Sequence, residues 1–553
     1  PKEKIEVILI TEKKLVQLVC AFIAMAFVLE LSLVNIMCSD YYQKARDQSV
    51  KTIDISAGRA DIVDCNLRNI TGTQEQIKAL VTAKNTDLQS IFDNVRDQDK
   101  AKFFKQIQNV NRMVVDLENP VDTDLVYITS KRYSPTNLAQ HLIGYTDFEG
   151  KGIAGIEKAF NEKLANNGEK LSLRLNVNGA GEIYGEVDTE VFTRPQVLSL
   201  TIDNTVQRMC EAIAKEYIIN GSIVVMESKT GKIRAMVSMP EYDANKVADY
   251  LESDNSPLLN KALQAYEPGS VIKPLWAATM LEEGARKEEV YYCKGFIDVN
   301  GHTYHCAKNI AHGQVDMERA LVVSCNCYFV NKYVKNKAFI FKQMANQMDF
   351  GSPLSLTENY YTAKGNFPSV EKIRNLGQLS SVSFGQGDFL VTPLHITSYM
   401  NMFANDGIYI PPQIAQGVYD GLNNTLIENL YNYNPKRVIS SKTAQTIKEM
   451  LVKVVEEGAH SRAKPDYLSA AGKTGTAQTG KVKEDGEEVF NAWFCGFYPS
   501  EEPMYTICIM MYDGGESTQT TTPIFKKLCD ELYYLRYAQV ENAKTDTPPK
   551  ESQ

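Results

Sequence analysis

Tyr266-Glu267-Pro268-Gly269-Ser270-Val271-Ile272-Lys273-Pro274 is the stretch around which the rest of the chain is organised. A Pro-Gly turn just before Ser270, with an apolar run continuing to Leu281, reads as a loop feeding the N-terminus of a largely buried helix. Ser270 then sits in the first turn of that helix, and residues three apart share a face, so Lys273 stands beside the serine hydroxyl. An amine that has lost its proton there can act as a base, which is how an unreactive serine becomes a nucleophile. Ser-x-x-Lys alone equally describes an exposed capping serine beside a solvated lysine. Two later stretches decide between these readings.

They are Ser324-Cys325-Asn326 and Lys473-Thr474-Gly475-Thr476, in that order after the serine. Ser-x-x-Lys, Ser-x-Asn and Lys-Thr-Gly together are the motif set of penicillin-binding proteins and class A β-lactamases. The wider wording resembles class B penicillin-binding proteins. Glu267 to Lys273 is similar to their Glu-Pro-Gly-Ser-x-x-Lys, and Ser383-Phe384-Gly385-Gln386-Gly387 with Thr392-Pro393-Leu394 to their Gly-Gln-Gly…Thr-Pro stretch. Leu200-Thr201-Ile202-Asp203, Asn405-Asp406-Gly407 and Trp493-Phe494-Cys495-Gly496-Phe497 extend the likeness. The chain is identified as a member of that family of membrane-anchored peptidoglycan D,D-transpeptidases, which cross-link stem peptides through a serine acyl-enzyme and are inhibited by β-lactams.

The resemblance implies roles. A donor peptide ending in D-Ala-D-Ala loses its terminal residue to the nucleophile, here Ser270, with Lys273 as base. An amine of a second peptide then resolves the acyl-enzyme. Lysine serves as a base near neutrality only if burial or a nearby cation, here Lys473, disfavours its charge. Ser324 could relay a proton to the leaving amine, while Asn326 can donate and accept hydrogen bonds to orient Lys273 and the substrate amide. Lys473, Thr474 and Thr476 would face the donor's carboxylate, and Gly475 would let an extended peptide pair closely with that strand. Backbone N–H groups of Ser270 and Thr476 would form the oxyanion hole. One departure is His395, where the family usually carries Gln; it reads as a packing residue.

With 553 residues, 44% of them hydrophobic, the chain exceeds one ordinary domain. Its 59 basic and 68 acidic residues give −9 with no basic block, which argues against a nucleic-acid partner. Lys13 and Lys14 precede Leu15 to Cys38, a mostly apolar stretch of 24 residues. At ~1.5 Å per residue such a helix crosses a hydrocarbon core of roughly 30 Å. The lysines put residues 1–14 in the cytoplasm and everything after 39 outside, so an uncleaved single-pass anchor in the plasma membrane is expected rather than a signal peptide. Glu30, inside the span, is costly there and needs a partner or the outer interface. By resemblance the partner is a polytopic glycan polymerase.

The expected architecture is α+β: anchor 15–38, a pedestal and linker over 39–196, a transpeptidase domain over 197–540 with a mainly antiparallel sheet covered by helices, and a disordered tail over 541–553. Strands are predicted near 222–227, 233–238, 471–478, 491–498 and 504–512, and covering helices at 394–404 and 444–455. In the pedestal, Gln74 to Asp99 reads as helical, and Leu125 to Thr129 as a short strand. Arg59-Ala60-Asp61-Ile62-Val63-Asp64 partly resembles the family's pedestal wording, whereas His141 to Tyr145 with Gly152 to Glu157 is close to its linker.

Four of the eleven cysteines, Cys293, Cys306, Cys325 and Cys327, share one segment with His302, His305 and His312, which are three of the six histidines. A structural zinc on Cys293, Cys306, His312 and Cys325, with Cys327, His302 or His305 as substitutes, is one reading. Disulfides outside the membrane and free buried thiols are the others. No cofactor is required for the chemistry. The alternatives to transpeptidation are hydrolysis, as a D,D-carboxypeptidase or β-lactamase, and a β-lactam sensor or inactive scaffold.

Overall fold

The computed structural model describes residues 2–38, 49–56, 58–82, 88–108, 112–121, 126–134, 137–178, 188–192, 195–335, 338–457 and 462–545. The chain divides into two compact units, and neither is a simple N- or C-terminal piece. One comprises Pro1–Gly58, Glu75–Thr129 and Glu169–Thr193; the other comprises Arg59–Gln74, Ser130–Gly168 and Arg194–Gln553. The expected boundary at 196/197 therefore differs from the observed one, because residues 59–74 and 130–168 fold with the larger unit.

In the smaller unit a helix runs from Lys2 to Met37, and its stretch Lys13–Met37 is long and apolar enough to cross a membrane. The predicted helix over 74–99 is corrected: Gln74–Thr82 is the central strand of a three-stranded sheet, and Leu88–Asn94 and Asp97–Ile107 are the helices. Its charged start resembles a helix surface. Its middle does not, because Ala79 and Val81 pack on Ile91, Val95 and Phe103 while Leu80 faces Ile55, Leu173 and Leu175. Consecutive residues buried on opposite sides are a strand's period of two.

The larger unit is built on a five-stranded antiparallel sheet of β1 (Gly221–Glu227), β2 (Ile233–Met239), β3 (Ala471–Val482), β4 (Glu488–Tyr498) and β5 (Tyr505–Met511), in the order β2-β1-β5-β4-β3. Alternation along β4 and β5 sorts the two faces. Trp493, Cys495, Phe497, Cys508 and Met510 pack on helices α2 (Lys273–Glu282), α4 (Asn326–Val334), α5 (Pro393–Ala404) and α6 (Ser441–Glu456). Phe494, Ile507 and Ile509 pack on α1 (Asn204–Tyr217) and α7 (Thr521–Thr545). The predicted strands and both predicted helices stand within a few residues of their expected bounds. The α7 helix continues to Thr545, past the expected start of the tail at 541, and residues 546–553 lie outside the described ones.

The partial pedestal wording and the linker wording meet inside this unit. Glu157, fully buried, accepts hydrogen bonds from Arg59 Nε at 2.7 Å, Arg132 Nε at 2.7 Å and Tyr133 Oη at 2.8 Å. Two guanidinium groups and a phenol satisfy a carboxylate that would otherwise be costly to bury.

Candidate active site

Ser270 lies in a short 3₁₀ turn, Gly269–Ile272, that runs straight into α2. Lys273 N–H donates to Ser270 O and closes this turn, which sets Ser270 one 3₁₀ turn before the lysine. Glycine is required at two points around this turn. Gly269 N–H donates to Gly385 O at 2.9 Å, and a Cβ on Gly385, whose φ is +81°, would fall 2.1 Å from Gly269 O. The Gly-Gln-Gly wording is thus a backbone-on-backbone contact that holds the nucleophile's turn. Beneath it the Tyr399 hydroxyl donates to Val271 O, and Trp493 Nε1 donates to Glu267 O at 2.9 Å.

Lys273 is completely buried and donates to Asn326 Oδ1 at 2.6 Å, Ser324 O at 2.8 Å and Ser324 Oγ at 3.3 Å. Ser324 occupies the left-handed region, φ 53°, between α3 (Met317–Val322) and α4. That conformation, uncommon for a residue with a side chain, turns both its carbonyl and its hydroxyl toward Lys273. Cys325 then caps α4, its Sγ accepting from Tyr328 N–H at 3.4 Å.

Lys473, equally buried, donates to the same Ser324 Oγ at 3.1 Å and to Thr474 Oγ1 at 3.3 Å. Two amines on one hydroxyl cannot both hold a proton cheaply. Burial brings Lys273 down to about 8. Burial, and then the charge of Lys273, depress Lys473 well below its ordinary value. A ligand carboxylate beside Lys473 would supply the missing counter-charge and restore its proton.

Lys473 belongs to β3, which among the described residues pairs only with β4 and so forms the sheet's edge. Along it Thr474 is buried, and Thr476 is exposed with its Oγ1 3.0 Å from Ser517 Oγ. A Cβ on Gly475 would meet Pro268 O at 2.7 Å and Val271 N at 2.9 Å, so this glycine lets the Ser270 turn come close to β3. Ser517 and the Gly385–Gly269 contact escaped the sequence reading; Ser517 carries no motif, whereas Gly385 did stand in quoted wording whose purpose only the fold reveals.

The cysteine cluster assembles against this site. Cys293 Sγ lies 3.7 Å from Cys306 Sγ and 3.5 Å from His312 Nδ1, Cys306 Sγ lies 3.8 Å from Cys325 Sγ, and all four ligand atoms fall within 4.8 Å of one another. Among the described residues no cysteine is in a disulfide. His302 and His305 are exposed and stand outside this group, while Cys327 Sγ touches Cys306 Sγ at 3.4 Å. Hydrogen bonds from Cys325 and Cys327 pull the Cys306 thiol below its ordinary value and push those two up. Asn326 directly follows Cys325, and its Nδ2 donates to the carbonyl of His305, the residue before Cys306, at 2.9 Å.

His395 is a satisfied packing residue. It is buried, completes the cap of α5 with Thr392, and places Nε2 3.2 Å from Ser352 O, and burial lowers its pKa to about 4.

The family profile for the penicillin-binding protein transpeptidase domain matches residues 221–530. Stage V sporulation protein D of Bacillus subtilis (strain 168) is 29% identical over 409 residues, which are 70% of this chain and 61% of that protein. Peptidoglycan D,D-transpeptidase MrdA of Acinetobacter baumannii is 25% identical over 517 residues, 82% of this chain and 73% of that one. The chain is also similar in fold to a solved D,D-transpeptidase domain from Eggerthella lenta, at 21% identity and TM-score 0.63, covering 86% of this chain and 98% of the other. A chain of a peptidoglycan synthase complex reaches 0.69 at 24% identity, covering 93% and 97%. With the profile spanning more than half its length, this chain belongs to the penicillin-binding protein transpeptidases, of the class B kind its motif wording resembles.

Proposed function

We propose that this chain is a membrane-anchored serine D,D-transpeptidase that cross-links peptidoglycan stem peptides and is acylated by β-lactams. The observation that carries the reading is one hydroxyl, Ser324 Oγ, held by both Lys273 and Lys473 beside the turn that presents Ser270. Neutral Lys273 takes the Ser270 proton as the hydroxyl attacks the penultimate D-Ala carbonyl, the C–N bond breaks, and Ser324 passes a proton to the leaving amine. The N–H groups of Ser270 and Thr476 receive the oxyanion, and Lys473, Thr474 and Thr476 receive the terminal carboxylate. The edge of β3 gives an extended peptide a strand to pair with. Residues 15–38 anchor the enzyme, and Glu30 within them meets a polytopic glycan polymerase.

Lys473→Ala tests the carboxylate role. Losing one charge-assisted hydrogen bond of about 2–3 kcal/mol should slow acylation by penicillin roughly 30- to 150-fold with folding little changed. Acylation at the parent rate, measured with a fluorescent penicillin, would remove Lys473 from the site.

A structural zinc on Cys293, Cys306, His312 and Cys325 is part of the same reading. Ligands at about 2.3 Å (sulfur) and about 2.0 Å (nitrogen) around a tetrahedral zinc lie about 3.8 Å apart for two sulfurs and about 3.5 Å for sulfur and nitrogen. Three of the six separations here are 3.7, 3.8 and 3.5 Å, and the other three are within 4.8 Å. Four protein ligands leave zinc no open position, so it supplies folding energy and no chemistry. Protein purified without chelator should contain one zinc per chain, and chelation or Cys293→Ser should lower the thermal midpoint and slow acylation together. A metal content near zero would overturn the site.

A further inference from the structure

One charged pair joins the two walls of the active site. Lys308 Nζ lies 2.6 Å from Glu516 Oε1. Lys308 follows His305, whose carbonyl holds Asn326 Nδ2. Glu516, on the loop between β5 and α7, directly precedes Ser517, whose Oγ lies 3.0 Å from Thr476 Oγ1 and whose N–H donates to that oxygen at 3.4 Å. The pair therefore ties the Ser324-Cys325-Asn326 side of the site to the β3 side. Both side chains are largely exposed, 69% for Lys308 and 53% for Glu516, so the pair is held weakly and either partner can be exchanged. We infer that Glu516 is the subsite for the acceptor, its carboxylate receiving the primary ammonium of the second peptide in place of Lys308. This rests on the transpeptidase reading above and names the residue that receives its second substrate.

Two arguments bring the acceptor to Glu516. The second half of the reaction returns to the carbonyl carbon at which the first half ended, so the acceptor nitrogen enters by the route along which the leaving amine departs. In the proposed reaction that amine leaves beside Ser324 Oγ, and its carboxylate rests on Lys473, Thr474 and Thr476. The acceptor that follows it therefore runs past Thr476 and Ser517, and Glu516 is the next residue of that wall. The group now seated on Glu516 supplies the other argument. It is itself a primary ammonium on a flexible chain, which is the chemical class of an acceptor side chain. Asp513, the other carboxylate of the same loop, is engaged with Lys483 at 2.8 Å.

Glu516 recruits and orients the acceptor, while the bond chemistry stays with the residues already named. The acceptor arrives as an ammonium, gives one proton to solvent, and its nitrogen attacks the ester carbonyl. The N–C bond forms, the bond from that carbon to Ser270 Oγ breaks, and the second proton returns through Lys273 to Ser270. A carboxylate beside the route also raises the local concentration of cationic acceptors, an effect that salt screens.

The experiment uses the full chain in detergent with diacetyl-L-Lys-D-Ala-D-lactate as donor. The readout is the ratio of aminolysis to hydrolysis of the acyl-enzyme, corrected for the reaction without enzyme. N-acetyl-L-Ala-D-Glu-L-Lys is the cationic acceptor, and methoxyamine, uncharged at neutral pH, is the neutral one. With the lysyl peptide, Glu516→Gln should lower the ratio about fivefold, and Lys308→Met, which removes the competing ammonium, should raise it about threefold. With methoxyamine the ratio should not respond to either substitution. Added salt should lower the lysyl ratio of the parent more than that of Glu516→Gln. An ion pair that only braces the two walls would move both variants the same way. Changes of one sign in the two variants, or a loss in Glu516→Gln that is as large with methoxyamine, would overturn the inference while the transpeptidase reading stands. A parent acylated by neither the depsipeptide nor penicillin would defeat that reading and the inference with it.

Discussion

Ser270→Ala is expected to abolish covalent labelling by penicillin while leaving the fold intact. A β-lactam presents a strained amide and a carboxylate arranged like those of the D-Ala-D-Ala end, so it draws on the same groups as the donor peptide. Removing a catalytic serine typically costs on the order of 10⁶ in turnover, which puts the mutant below detection. Folding should survive because Ser270 is only half-buried and the turn that carries it is fixed by others: Gly269 on Gly385, Val271 on Tyr399, Glu267 on Trp493. Labelling is read by gel fluorescence and peptide mapping, and the thermal midpoint serves as the control for folding. Stoichiometric labelling that persists in Ser270→Ala, or parent label mapping to another residue, would sink the assignment.

Why the site was legible and parts of the fold were not has a physical explanation in particular residues. Ser270, Lys273, Ser324, Asn326 and Lys473 each need one specific functional group, so identity and order alone carry the signal. β4 and β5 were equally legible, because aromatic and β-branched residues at strand spacing leave a helix no apolar stripe. Gln74–Thr82 misled because its polar start and its doubly buried middle belong to different environments, and no period of either kind runs through both. Residues 59–74 join the larger unit through Arg59 on Glu157, a contact spanning 98 positions that no local pattern announces. Gly475 shows the limit most plainly. Glycine declares that something comes close and leaves unsaid what, and here it is the Ser270 turn.

Lys273 offers the other large effect, because its proposed role as base depends on being able to lose a proton. Burial lowers its pKa to about 8, so at pH 7 roughly a tenth of the molecules carry the neutral amine that can serve as base. The sign follows: acylation should rise with pH through about 8 and level off above it, since the neutral fraction is the competent one. Lys273→Arg keeps a cation in the pocket but cannot deprotonate, with a pKa above about 12. Losing a positioned general base typically costs 10²–10⁴-fold, and Lys273→Arg should fall at the lower end of residual activity or below it, with the rise through pH 8 gone. Lys273→Met removes the charge too, and leaves Ser324 O and Asn326 Oδ1 without their donor. It should therefore lose acylation just as heavily, which separates deprotonation from mere charge as the property that matters. The measurement is the second-order rate of penicillin acylation from pH 6 to 10 for parent and both variants. A parent profile flat across pH 8, or an arginine variant that keeps the parent's rate and slope, would show that another group takes the proton from Ser270.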